Sequence, residues 1–356
     1  MLKHSIAAGL LLISSVAVAQ DKPAAIKART GAPYKHGHSG LSFPAALIDL
    51  PRTGGSEFVK PQLDLMFTYQ APDQSEEVSI YLYRVKSGSA SLWFDVARHT
   101  VEQRRAYGRK TPFGTPTAFT PPGQSNPSAM RIGWTLSEGP FRSTTLTMIP
   151  MGEWLVKIRH TATQIEVVSL LRRTEAVVAA LGWPGKVEAA PDAAAVADCT
   201  DRLALDGDSK PAKVESAGAG ALLDAIMAQM AGGAAKKDKK ADAEQGPPVI
   251  WCADRAANSP TPLYRPNGAR DSYLMAASDA GLAIWVRPSA SGMLLDQNGP
   301  KNWAISVVRA GDTINYPPRD RLPPPTQIRA ILDGGSASRV STWGKSTITI
   351  DPAAMK

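Results

Sequence analysis

Histidine and cysteine are the scarcest reactive residues in this chain. Among 356 residues there are five histidines and two cysteines, too few for a cysteine-rich zinc scaffold or a disulfide-dense small fold. No H-E-x-x-H occurs, so the helical zinc-hydrolase pattern is absent. "GHSGL" around Ser39 lacks the closing glycine of a nucleophile elbow. "WGKST" ends like a phosphate loop, but the position five before Gly344 is Arg339 rather than glycine. "GAGALL" from Gly218 lacks the third glycine of a dinucleotide fingerprint. "DGDSKP" from Asp206 puts Lys210 and Pro211 where a calcium loop needs an oxygen donor and a glycine. No cofactor follows from the sequence.

Long apolar runs are missing too, except at the start. Lys3 and His4 precede an apolar stretch from Ile6 to Val18, and Ala17 and Ala19 put small residues at −3 and −1. That is a secretory signal peptide over residues 1–19, cut between Ala19 and Gln20. The run is shorter than the roughly 20 apolar residues of a spanning helix, and no cysteine stands at the cut to take a lipid. A soluble periplasmic protein with no transmembrane segment and no lipid anchor is expected. Removing the signal lowers the formal charge from +8 to +7. The basic residues are scattered rather than striped, which argues against nucleic acid as a partner. Even the lysine-rich stretch "KKDKKADAE" nets only +1, has no aromatic or arginine, and lies between "GGAA" and "GPP". It reads as a flexible insert at 232–248.

What the chain does have is alternation. "LSFPAALIDL", "LDLMFTYQ" and "VSIYLYRVK" are strand-like segments separated by turn residues. The period then changes: in "SASLWFDVARHTVEQRRAYG", Trp93, Val96, Ala97 and Val101 form one helical stripe, with Gly108 as the C-terminal stop. Three more strands follow, "AMRIGWTLS", "RSTTLTMIP" and "EWLVKIRHT", the last two joined as a hairpin. A second helix carries Val167, Leu171, Thr174, Val178 and Leu181 and ends at Gly182 and Pro184. Three strands, a helix, three strands and a helix predict an antiparallel sheet with helices laid against it.

That order, with "SIYLYR" before the first helix and "EWLVKIRHT" before the second, resembles the PsbP-like α/β/α fold group, which includes uncharacterised exported bacterial proteins. The resemblance spans residues 39–185. It implies a binding or assembly role, because members of that group are mostly of that kind.

Residues 20–38 are expected as a flexible N-terminus and 186–197 as an alanine-rich linker. The remainder, 198–356, is expected as a smaller β-rich domain. "RLALDG", "PVIWCADR", "SYLMAASDAGLAIWVRP", "NWAISVVRAGD" and "VSTWGKSTITI" supply its strands, and "GALLDAIMAQM" a short amphipathic helix. "YPPRDRLPPP" reads as a rigid polyproline-like connector. The fold class is therefore α+β. Cys199 and Cys252 are expected to form a disulfide, since an isolated pair in an oxidising compartment has few other uses.

For function, His36 and His38 in "HGH" are the candidate metal ligands, weak for want of a third donor. His99 and His160 are expected as structural histidines. Six tryptophans, Trp93, Trp134, Trp154, Trp251, Trp285 and Trp303, fall in predicted elements, where burial competes with a sugar-binding role. The leading expectation is an exported, non-catalytic envelope protein that binds a partner, an envelope protein or a cell-wall component, or that supports an envelope process. The alternatives are a periplasmic hydrolase whose site is assembled only in three dimensions, or a carbohydrate- or metal-binding protein.

Overall fold

The structure is a computed structural model that describes residues 23–212, 248–289 and 302–351. The signal cleavage at Ala19 and Gln20, the helix at 220–230 and the lysine insert at 232–248, but for Pro248, lie outside the described residues.

The first half is built on strands whose alternation buries one face at a time. β1 (Ala24–Ala25) pairs with β5 (Leu50–Val59), which runs on through β6 (Asp64–Gln70) and β7 (Glu76–Arg84). A second meander, β10 (Ala129–Ser137), β11 (Ser143–Met151) and β12 (Trp154–Ala162), joins it edge to edge where β12 pairs with β7. β8 (Arg109–Pro112) and β9 (Thr117–Phe119) border β10, and β4 (Ala46–Leu47) folds back on β5. The β11–β12 connection is the expected hairpin, with Gly152 at φ 62° in its two-residue turn.

Two 14-residue helices lie on opposite faces of this sheet. α1 (Ala90–Gln103) starts at Ser89, whose hydroxyl accepts from the Leu92 amide at 3.2 Å. Its stripe of Trp93, Val96, Ala97 and Val101 is buried against Ile132, Trp134, Leu146 and Met148. α2 (Val167–Ala180) covers the other face, with Val177 and Val178 against the core of Phe67, Ile80 and Ile158. Gly108 closes a 3-10 turn after α1 rather than the helix itself, and Gly182 does not cap α2: it forms a bridge with Ser42.

Several expectations are corrected here. Residues 23–38 are not a loose tail. β1 pairs with β5, and β2 (Tyr34–Lys35) pairs with β3 (Ser42–Phe43), because Tyr34 has Phe43 and Phe67 to pack on. β5 was hidden by Pro51, Gly54 and Gly55, which read as turn residues. At Gly55 a Cβ would lie 2.5 Å from the Phe67 ring, so the glycine admits that ring. "RLALDG" forms no strand. "YPPR" belongs to a strand rather than to a connector, and "VSTWGKSTITI" is a hairpin folded at Trp343 and Gly344 rather than one strand.

The second sheet has nine strands among the described residues, each beside its sequence neighbour: β13 (Ala197–Asp198), β14 (Trp251–Ala253), β15 (Leu263–Pro266), β16 (Tyr273–Ala276), β17 (Ala283–Pro288), β18 (Trp303–Val308), β19 (Asp312–Arg319), β20 (Ser338–Ser341) and β21 (Ile348–Ile350). Only β13 and β14 run parallel, and beside them Cys199 and Cys252 form the disulfide, with Cα atoms 4.9 Å apart. A short helix, α3 (Ile328–Asp333), packs Ile328 and Ile331 on the outer face of this sheet.

The inner face of the second sheet closes over α1. Trp251, Tyr264, Leu274 and Ala283 share one buried cluster with Trp93, Phe94 and Val96. Asp95, also buried, accepts from Tyr264 Oη at 2.9 Å and Arg98 at 2.7 Å, with Arg255 at 3.3 Å. At the far end, Trp343 stands over the Arg84 guanidinium at 4.9 Å and edge-on to Trp154 and His38. The two halves thus share a core.

Trp93→Ala should therefore destabilise the whole chain by about 3–5 kcal/mol, as one cooperative urea transition seen by probes in both sheets. Two separate transitions would show that the halves fold apart. Thiol counting on unfolded, unreduced protein should find no reactive cysteine, and reduction should cost about 4 kcal/mol in the chain-entropy description of a loop this long.

Candidate functional site

A concavity of about 1020 Å³ lies between the halves. One wall is the β7–α1 loop with the first two residues of α1, residues 85–91, and the β11–β12 turn at Gly152 and Glu153. The opposite wall is the inner face of β17 to β20, carrying Trp285, Ser306, Thr313, Asn315 and Val340. The alanine-rich stretch expected as a linker closes one side. It is tied to the first half: the Ala193 amide donates to Pro127 O at 2.8 Å, and the Ala194 amide donates to Ser91 Oγ at 3.1 Å.

The geometry follows from local chemistry. Gly88 sits at φ 81°, and a Cβ there would lie 2.8 Å from Trp93 Nε1, so the loop can turn into α1 only with glycine. Arg84, at the end of β7, is buried and spans the junction. It donates from Nε to Glu153 at 2.9 Å and from Nη1 to Ala310 O at 2.6 Å. Lys86 donates to the same carboxylate at 3.3 Å. Burial pushes the Glu153 carboxyl up, but the two cations outweigh it and hold the group below the usual carboxylate range. On the opposite wall Ser306 donates to Asn315 Oδ1 at 2.8 Å, and Asn315 Nδ2 donates to Ser338 at 3.2 Å. Trp251 and Trp285 meet edge to face at 5.3 Å. The cleft combines apolar surface with hydroxyls, an amide and a charged rim. Such a lining suits binding of an extended molecule with few charges.

His36 and His38 lie elsewhere, beside Trp154 and Trp343. Both ring nitrogens of the fully buried His36 are engaged: Nδ1 lies 2.7 Å from Ser39 Oγ, and Nε2 lies 2.9 Å from Gln62 O. His38 Nε2 lies 3.1 Å from Pro61 O. Burial, the largest influence, together with the neighbouring His38, keeps His36 below its ordinary pKa. The two rings serve a packed aromatic corner, and no group of three or more His, Cys, Asp or Glu converges among the described residues. His99 is half-buried on α1.

His160 meets a criterion expected of a hydrolase, and meets it in the wrong place. Its Nδ1 is 3.0 Å from Thr174 Oγ1 and its Nε2 is 2.6 Å from Glu76 Oε1. Hydroxyl, imidazole and carboxylate thus stand in line, as in a nucleophile–base–carboxylate set. But His160 is fully buried, and Thr174, 3% exposed, also donates to Leu170 O at 2.8 Å and contacts Thr145 Oγ1 at 2.9 Å. A smaller cleft of about 260 Å³ reaches Thr174 between α2 and β10, with apolar neighbours Phe119, Leu171 and Val178. The arrangement is a core network joining α2 to the sheet, continued outward by Arg173 to Glu76 at 2.8 Å and to Asp49 at 2.7 Å.

No protein-family model matches the chain, and no curated protein does. Among solved structures, the cyanobacterial PsbP protein CyanoP from Synechocystis sp. PCC 6803 aligns with 45% of this chain and 96% of its own, at 12% identity and a TM-score of 0.31. The first half resembles the PsbP-type architecture. Nothing about a ligand follows from the likeness. Among the described residues no helix is long and apolar enough to cross a membrane.

The cleft itself was not legible in the sequence. Ser306 and Asn315 looked like ordinary positions on strands, and only their pairing across β18 and β19 brings them together. A charge inside an apolar strand, as at Arg84 or Lys157, was the available signal that a buried partner existed.

Burial, the largest influence, keeps His160 neutral below its ordinary pKa of 6.5. The unfolded chain takes up that proton first, so stability should fall as pH drops through about 6.5. Glu76, whose carboxyl burial raises but His160 and Arg173 pull down further, adds to the loss at lower pH. Glu76→Ala should cost about 1.5–3 kcal/mol at pH near 7.5 and remove the part of the acid loss that lies in the carboxylate range, while the His160 part persists. Urea midpoints across pH will check both.

Proposed function

We propose that this is an exported envelope protein that binds an extended, weakly charged ligand between its two sheets, without transforming it. The observation that carries this reading is the cleft of about 1020 Å³ whose walls come from both halves. A surface built from two sheets and an ordered connecting strap is preformed, which lowers the ordering cost of binding. The N-terminal pattern supports export. On the far wall Ser306 donates to Asn315, and among the described residues no histidine lines the cleft.

Hydrolysis is the second reading, because one histidine does bridge a hydroxyl and a carboxylate. The burial of that set weighs against it. A Thr174→Val protein that keeps whatever activity the wild type shows would remove the reading.

The binding reading is tested by placing a photoreactive phenylalanine at Val340, in the cleft, or at Phe113, half-exposed and outside its lining. In the exporting cells, Val340 should yield adducts that Phe113 does not, and filling the cleft with Ser306→Trp should abolish them. Equal adducts at both sites, or none at Val340, would overturn the proposal.

A further inference from the structure

Asp64 opens β6 on the face of the first sheet that looks toward the second half. Its side chain is 8% exposed, and its Oδ1 has no hydrogen-bond partner. An unpaired carboxylate oxygen in such a place is costly unless the group keeps its proton. Opposite it in register is Tyr83. Over this corner lies the β16–β17 turn: a Cβ at Gly281 would meet Val85 at 2.9 Å and Arg84 O at 3.3 Å. From the same turn Asp279 reaches across to Lys157 of β12, which donates to its Oδ2 at 2.7 Å and to its backbone O at 3.1 Å. Lys157 also lies over the rings of Tyr81 and Tyr83, at 4.4 and 5.6 Å.

Lys157 is therefore bonded to Asp279 of the other half, while its charge and that of Asp279 both act on Asp64, whose Oδ1 is hydrogen-bonded to neither. The remaining charged or titratable groups at this corner are Tyr81 and Tyr83 from β7 and Arg159 from β12, with Arg104 acting on Tyr81 from the end of α1. Arg159 donates to Tyr81 Oη at 3.3 Å and helps, with Lys157, to hold the Asp279 carboxyl below its usual range despite burial.

We propose that Asp64 is a pH-responsive latch between the halves: protonated, it leaves Lys157 to Asp279; ionised, it competes for Lys157, repels Asp279 and loosens the β16–β17 turn from the first sheet. Burial pushes the Asp64 carboxyl up to about 7, with Asp279 adding to the rise and Lys157 opposing it. In the unfolded chain the group ionises near 3.8. Between those values the folded protein holds a proton that the unfolded chain has lost, so this group's contribution to stability falls as pH rises and is fully unfavourable above about pH 7. That direction is opposite to the His160–Glu76 network, so a variant is needed to separate them. Val85 also lines the cleft, but the latch and its test involve no ligand.

The experiment compares wild type with Asp64→Asn as full-length protein. Hydrogen exchange at residues 277–282, corrected for intrinsic rate, should be about tenfold faster in wild type near pH 8 than near pH 5.5, the equivalent of one pKa unit. Asp64→Asn should show little of that change, and its urea midpoint should gain on wild type as pH rises. Equal pH dependence in the two proteins would overturn the latch. A carbon NMR titration of the Asp64 carboxyl in wild type needs no variant: an inflection near 7 supports the proposal, and one near 4 refutes it.

Discussion

One helix has no solvent-facing core side to spare. α1 contributes Trp93 and Val96 to one buried cluster that takes in residues of the first sheet and of strands β14 to β17 of the second, so part of the apolar area that stabilises each half is shared. Burying a large aromatic such as Trp93 on all sides is worth several kcal/mol, and it is gained only when both sheets are in place. The cleft depends on this too. Its wall at residues 85–91 is the entry to α1, and its opposite wall belongs to the sheet that clamps the helix.

Polar side chains complete the join where apolar ones cannot. Asp95, Arg84 and Lys157 each sit in the contact between halves, and each is met by a partner from the other side: Tyr264, Ala310 O and Asp279. A buried charge of this kind adds little net stability beyond an apolar equivalent, but a wrong alignment leaves it unpaired at a cost of several kcal/mol. The three groups therefore fix how the sheets lie on each other, while the shared apolar cluster supplies the attraction.

Much of the first half was legible because its side chains obey simple periods. β10 and β12 alternate cleanly, and the stripe through Trp93 and Val101 fits a helix buried along one side. What the period could not reveal was burial from both sides, since the residues that cover α1 stand more than 150 positions away. β5 was missed because Pro51 and two glycines imitate a turn, although the glycine at 55 serves a neighbouring ring. α3 was missed for the opposite reason: six residues carry too short a pattern, and the prolines that precede it drew attention to an extended chain. The candidate site was the least legible part. The histidines that stood out are in packed corners, whereas the cleft is made of serines, asparagine and tryptophan brought together by strand pairing.

The second sheet adds its strands in sequence order, each beside the one before it, whereas β7 of the first sheet must wait for β12. Local pairings of the first kind form quickly once their residues are available. A chain that emerges from its N-terminus completes the first sheet and α1 before β14 exists. Until residue 283 has emerged, the outer side of α1 is an apolar surface in water, and of the kind that draws chains into aggregates. The interval between the two sheets is thus the vulnerable stage in this protein's synthesis, and whatever shields α1 during it stands in for β14 to β17.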